Sequence, residues 1–173
     1  NGNYGVSSPG WDDGTKVNVG AVTFGSGSGG ISGVVSPLNS LVGSAAEDQV
    51  GGNGIGTTAV TALTNGNYVV RTPFWDNGAT PDVGAVTFAV GSGGISAVVS
   101  PANSLVGTRV GDLVGSSGVT ALSNGNYVVG SQFWDHGVAL NAGAVTFGSG
   151  SNGISGAVSP ANSLVGGMAN DFV

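Results

Sequence analysis

The chain has 173 residues, enough for one ordinary domain, yet 35 of them are Gly and only 7% are charged. The glycines keep no three-residue period and Pro occurs only 6 times, which excludes collagen, while a hydrophobic content of 40% and a net charge of -6 exclude simple disorder. Three Lys+Arg against nine Asp+Glu leave no basic patch for nucleic acid or an anionic membrane, no apolar run is long enough to span a bilayer, and the lack of Cys removes disulfides, thiolate metal sites and cysteine nucleophiles.

The chain is three copies of one unit. Each copy opens on Asn-Gly-Asn-Tyr (Asn1–Tyr4, Asn65–Tyr68, Asn124–Tyr127) and continues with a Trp-Asp pair (Trp11-Asp12, Trp75-Asp76, Trp134-Asp135). Gly-Ala-Val-Thr-Phe (Gly20–Phe24, Gly84–Phe88, Gly143–Phe147) follows, then Ser-Pro-x-Asn-Ser-Leu-Val-Gly (Ser36–Gly43, Ser100–Gly107, Ser159–Gly166). An Asp-x-Val closes each copy (Asp48–Val50, Asp112–Val114, Asp171–Val173). The units are 1–64, 65–123 and 124–173, the last without its final strand.

Within the middle copy the β-branched and aromatic runs predict strands over Ala59–Leu63, Tyr68–Thr72, Ala85–Val90 and Ile95–Val99, and nothing reads as helix. Thr64–Asn67 joins the first two as a hairpin, because Asn-Gly tolerates the positive φ of primed turns. Alternation places Val86 and Phe88 on one face and Ala85 and Thr87 on the other. Pro37, Pro101 and Pro160 each stand where a missing N–H ends a strand at little cost. Four short antiparallel strands make one small sheet that cannot bury both faces alone. The units must therefore stack, as β-propeller-like blades or, alternatively, as a β-solenoid array. The unit length of about 60 residues favours blades, because solenoid coils are shorter.

Across a unit boundary, Leu105–Gly107, Gly111–Gly115, Val119–Leu122, Asn124–Ser131 and Gly143–Phe147 resemble one blade of the FG-GAP repeat of integrin-type β-propellers. Val6–Pro9 and Val70–Pro73 fit the Val-Gly-Ala-Pro step of that family, and Phe172 fits its Asp-x-Phe step. The units are also similar to a repeat of unknown function found in large bacterial haemagglutinin-like exoproteins and adhesins. The FG-GAP calcium loop carries several Asp, whereas the equivalent hairpin here reads Asn-Gly-Asn with no acid, so no metal is expected. What the resemblance implies is an extracellular or bacterial cell-surface protein without enzymatic activity or cofactor.

Asp48, Asp112 and Asp171 are expected to accept backbone N–H bonds from a neighbouring turn, since one isolated carboxylate per unit lacks the clustered ligands of a site. Trp11, Asp12, Trp75, Asp76, Trp134 and Asp135 form the candidate ligand-binding set. A Trp face under a sugar ring with a carboxylate on its hydroxyls is what a glycan site uses, and the competing reading is a wedge between sheets with its indole N–H bonded to backbone. Gly25–Gly30 and Gly148–Gly153 are turns rather than phosphate cradles, and Gly51–Gly56 lacks the Asp of a calcium nonapeptide. His136 replaces Asp13 and Asn77 of the other units in a tolerant loop, and no Ser/His/Asp set recurs, so no catalytic residue is assigned.

The expected partners are neighbouring repeats or further copies of the chain, with glycans as the alternative. Val-Thr-Ala-Leu occurs at Val60–Leu63 and Val119–Leu122 only, while its hairpin partner beginning at Tyr occurs three times. Since the chain also begins with Asn1, a piece of a longer array, or a subunit whose ends are covered on assembly, is expected.

Overall fold

The computed structural model describes residues 2–52 and 59–173. Gly51–Gly56 falls mostly outside them, as does Asn1. The described residues are all-β, with strands in chain order β1 (Tyr4–Ser8), β2 (Ala21–Gly25), β3 (Ser40–Val42), β4 (Val60–Ala62), β5 (Tyr68–Thr72), β6 (Ala85–Ala89), β7 (Ala97–Val98), β8 (Ser104–Val106), β9 (Gly118–Ala121), β10 (Tyr127–Ser131), β11 (Ala144–Gly148), β12 (Gly156–Ala157) and β13 (Ser163–Val165). They form three sheets ordered β1-β2-β3-β7, β4-β5-β6-β8-β12 and β9-β10-β11-β13. Each sheet is built on an antiparallel meander, β1-β2-β3, β4-β5-β6-β8 or β9-β10-β11-β13, so the units are propeller-like blades rather than coils of a solenoid.

Two differences from the sequence reading concern these sheets. The last strand of each meander is the Ser-Leu-Val segment, as at β8, which pairs antiparallel with β6 in the register Thr87↔Ser104 and Ala85↔Val106. The segment read as the last strand, Ile95–Val99, leaves its own blade. Its β7 pairs in parallel with β3 of the preceding blade, Leu41↔Ala97 and Val42↔Val98, and β12 does the same with β8. The Ser-Pro-x-Asn-Ser turn makes this crossover possible. Asn103 Oδ1 accepts the Ser100 N–H at 2.9 Å and the Ser104 hydroxyl at 2.8 Å, while its amide donates to the Val98 carbonyl at 2.9 Å. Asn39 and Asn162 make the same three bonds in the other repeats.

The hairpin turn also differs in type. Gly66 alone has positive φ, the Gly66 N–H bonds to the Leu63 carbonyl at 3.0 Å, and the Leu63 N–H bonds to the Asn67 carbonyl at 2.8 Å. This is a three-residue loop whose glycine takes the left-handed position, not a two-residue primed turn.

The middle blade is covered on both faces. Val69, Val86 and Leu105 pack with Tyr127, Val129, Trp134 and Ala144 of the third blade, and Val70, Ala85 and Val106 pack with Val22, Leu41 and Val50 of the first. Alternation along β6 thus sends Val86 to one neighbour and Ala85 to the other. In every blade a hydroxyl pair links adjacent strands, Thr87 with Ser104 at 2.7 Å in the middle one, so that neither of these two hydroxyls is left unpaired. The two cores therefore lie between blades, and no blade has a core of its own.

Candidate functional site

The residues that recur in every repeat converge on the junctions between blades. Four kinds of contact build each junction beside the crossed strand.

The first is aromatic. Phe24 stacks on Tyr68 with ring centroids 6.4 Å apart and planes 7° from parallel, and Phe88 stacks on Tyr127 at 6.3 Å and 3°. Strand alternation aims each Phe at the following blade and each Tyr at the preceding one. Burial pushes the Tyr127 phenol up to about 12. Gly94 and Gly153, both with positive φ, lie against Phe24 and Phe88, so close that a Cβ would collide with the Phe side chain.

The second is an amide ladder. Asn67 Oδ1 accepts the Gly91 N–H of its own repeat at 3.0 Å, while its Nδ2 donates to the Gly150 carbonyl of the next at 2.7 Å. Asn3 does the same with Gly27 and Gly91, at 2.9 and 2.7 Å. Bridging a donor on one side and an acceptor on the other requires an amide, because a carboxylate donates nothing. This gives a structural reason why the hairpin carries Asn where a calcium loop carries Asp.

The third is a carboxylate clamp. Asp48 Oδ2 accepts the Ser44 and Ala45 N–H groups at 2.6 and 2.8 Å, and its Oδ1 accepts the Asp76 N–H across the junction at 2.9 Å. Asp112 repeats this with Thr108, Arg109 and Asp135 at 2.8, 2.9 and 3.0 Å. Both side chains are fully buried. Burial raises their pKa values above the ordinary carboxylate range, with the backbone N–H bonds opposing the rise.

The fourth is the Trp-Asp loop. Trp75 is 2% exposed and Trp134 4%. The Trp75 indole N–H donates to the Ser44 hydroxyl at 3.0 Å, a side-chain rather than a backbone partner. The Asp of each pair closes its own loop: Asp12, Asp76 and Asp135 each accept an N–H six residues on, from Asn18, Asp82 and Asn141, all at 2.8 Å. Those three acceptor-facing residues have positive φ, which the Asp bond holds in place. Trp11, on the first blade, is only half-buried. Of the six candidate glycan residues, then, Trp75 and Trp134 are packed inside junctions, and Trp11 with Asp12 stands at an open face.

Asp171 accepts the Gly167 and Met168 N–H groups at 2.9 and 2.8 Å, within its own loop. His136 stacks on Trp134 at 5.6 Å and meets the Gly166 carbonyl through Nδ1 at 3.1 Å. Among the described residues no group of three or more His, Cys, Asp or Glu is placed to hold a metal ion. A cleft of about 210 Å³ opens between β1 and β4, lined by Tyr4, Phe24, Val60, Ala62 and Tyr68. It lies where the second and third blades each carry an outer strand, β4 and β9, and the first has none among the described residues.

Sequence reasoning did not single out Asn67 or the Phe–Tyr pairs. The signal was present, since Asn-Gly-Asn-Tyr and the Phe of Gly-Ala-Val-Thr-Phe recur in all three copies.

No curated protein matches the chain. A family model described as a repeat of unknown function, DUF5650, matches residues 1–52, 62–116 and 121–173, one match for each blade. Covering nearly the whole chain in three successive copies, these matches make it a member of the DUF5650 repeat family.

Proposed function

We propose that the chain is a non-enzymatic structural and adhesive repeat module of a large bacterial extracellular or cell-surface protein. The observation that carries this reading is the position of its recurrent polar and aromatic residues. Asp48, Asn67, Trp75 and Phe24 and their counterparts hold blade to blade, which is the chemistry of building an array. Adhesion then comes from many weak contacts on the outer surface, whose strength grows with copy number.

Beads bearing the chain at graded densities test this on cultured epithelial cells. The reading predicts capture that rises steeply with density, and capture absent at every density contradicts it. The second reading, a glycan-binding propeller, is favoured by one observation, the half-buried Trp11 beside exposed Asp12. Glycan-array binding that disappears in Trp11→Ala selects that reading.

A further inference from the structure

The two outer faces of the three-blade stack are the two halves of one junction. On the first blade, Tyr4 is exposed, whereas Tyr68 and Tyr127 are covered by a preceding Phe. On the third, Phe147 is 55% exposed and has no Tyr beyond it. Leu164 of β13 is 71% exposed, although its counterparts Leu41 and Leu105 are fully buried in the cores between blades, on strands that pair with a crossed strand. The segment that would cross is present at the other end. Residues 31–35 of the first repeat correspond to 95–99 and 154–158, yet they pair with no strand. Ile31 and Val34 are exposed and Val35 is half-buried, where Val99 and Val158 are buried.

The polar contacts are split in the same way. The Asp12 N–H bonds to nothing among the described residues, while the N–H groups of Asp76 and Asp135 reach the preceding carboxylate. Among the described residues Asp171 keeps the two bonds of its own loop and lacks the cross-junction bond that Asp48 and Asp112 make.

We infer that the third blade of one chain binds the first blade of a second copy, reproducing the junction already formed twice within the chain. Residues 31–35 of the incoming copy extend β13 in parallel, with Gly33 opposite Leu164 and Val34 opposite Val165, as in the registers of β7 and β12. The Val35 N–H bonds to the Val165 carbonyl, as Val99 does to Val42 at 2.9 Å and Val158 to Val106 at 3.0 Å. Tyr4 stacks on Phe147, and the Asp12 N–H reaches Asp171. The occupant is another copy of this repeat because it alone brings all of these groups in one spacing. Between copies of the 173-residue chain the contact is heterologous and leaves one unmatched face of each kind, so their association continues past a dimer. This deepens the structural-module reading and names the surfaces through which the module assembles.

Sedimentation velocity on the 173-residue chain and two variants tests the inference. Val35→Lys damages the first-blade face and Leu164→Lys the third-blade face, and circular dichroism verifies that each variant keeps its fold. The wild type is expected to grow in mass with concentration, each variant alone to stay monomeric, and their equimolar mixture to give a heterodimer that grows no further. A monomeric wild type, a mixture without heterodimer, or association that survives in both variants, as pairing through the open edge of β1 would give, overturns it. Bead capture retained while the mixture fails would reject this contact and leave the adhesive reading standing. Heterodimer without capture would do the reverse.

Discussion

The buried Asp48 carboxylate receives the backbone N–H of Asp76 at 2.9 Å, so the acid that ends one repeat orders the Trp-Asp loop of the next. An Asn in its place turns one acceptor oxygen into a donor facing N–H groups. Asp48→Asn is expected to cost about 1–3 kcal/mol, the range for leaving a buried donor unpaired. Asp171→Asn, at an exposed loop, is expected to cost less than Asp48→Asn. Urea unfolding of the two variants checks the contrast.

Stability should depend on pH through Asp48, Asp82 and Asp112, whose carboxyls are all raised first by burial and then by a neighbouring charge, that of Asp76 for Asp48 and Asp82 and that of Asp135 for Asp112. Each folded carboxyl holds its proton more tightly than in the unfolded chain. Their contribution is therefore most favourable at acid pH, and it declines as pH rises from the ordinary value of 3.8 through the raised folded values. The urea midpoint is expected to fall across this window. A flatter profile is expected in Asp112→Asn.

Asn67 and Asn126 occupy the same place in successive repeats, but among the described residues only the Asn67 side chain of the two donates across a junction, to the Gly150 carbonyl at 2.7 Å. Asn67→Asp sets a carboxylate against that carbonyl and is expected to cost about 1–3 kcal/mol. Asn126→Asp keeps the Gly150 N–H bond and is expected to be milder in the monomer. Thermal melts of the two variants, recorded in dilute solution, measure the difference.

Trp75 and Trp134 are buried alike, yet the Trp75 indole N–H has the Ser44 hydroxyl and the Trp134 indole N–H has no partner. Phe removes a satisfied donor at one site and an unsatisfied one at the other. Trp75→Phe is expected to be more destabilising than Trp134→Phe by about 1 kcal/mol. Equal losses in denaturant titrations would count against the Ser44 bond.

The repeat, the all-β character and the strands at Tyr68–Thr72 and Ala85–Ala89 are legible because each rests on local pattern, and the backbone-binding role of Asp48 follows from the chemistry of a lone carboxylate. The crossed strand was not legible. Ala97–Val98 is two residues long, and nothing in so short a stretch says which blade supplies its partner, because pairing is decided by a neighbour 56 residues away in β3. Ser104–Val106, three residues long, is too short to announce itself for the same reason. The turn type is not legible because Asn-Gly serves both the primed turn and the glycine-bulged loop, and the strand register around Leu63 and Asn67 selects between them.

Strands cross from the second and third repeats to the blade before each. Amide hydrogen exchange, followed by nuclear magnetic resonance on the monomeric Leu164→Lys chain, reads this directly at three equivalent positions. Val99 and Val158, bonded to the Val42 and Val106 carbonyls of the preceding blade, are expected to be strongly protected, and Val35, whose N–H bonds to no carbonyl among the described residues, to exchange rapidly. Equal exchange at all three amides would contradict the crossing and the junction built on it.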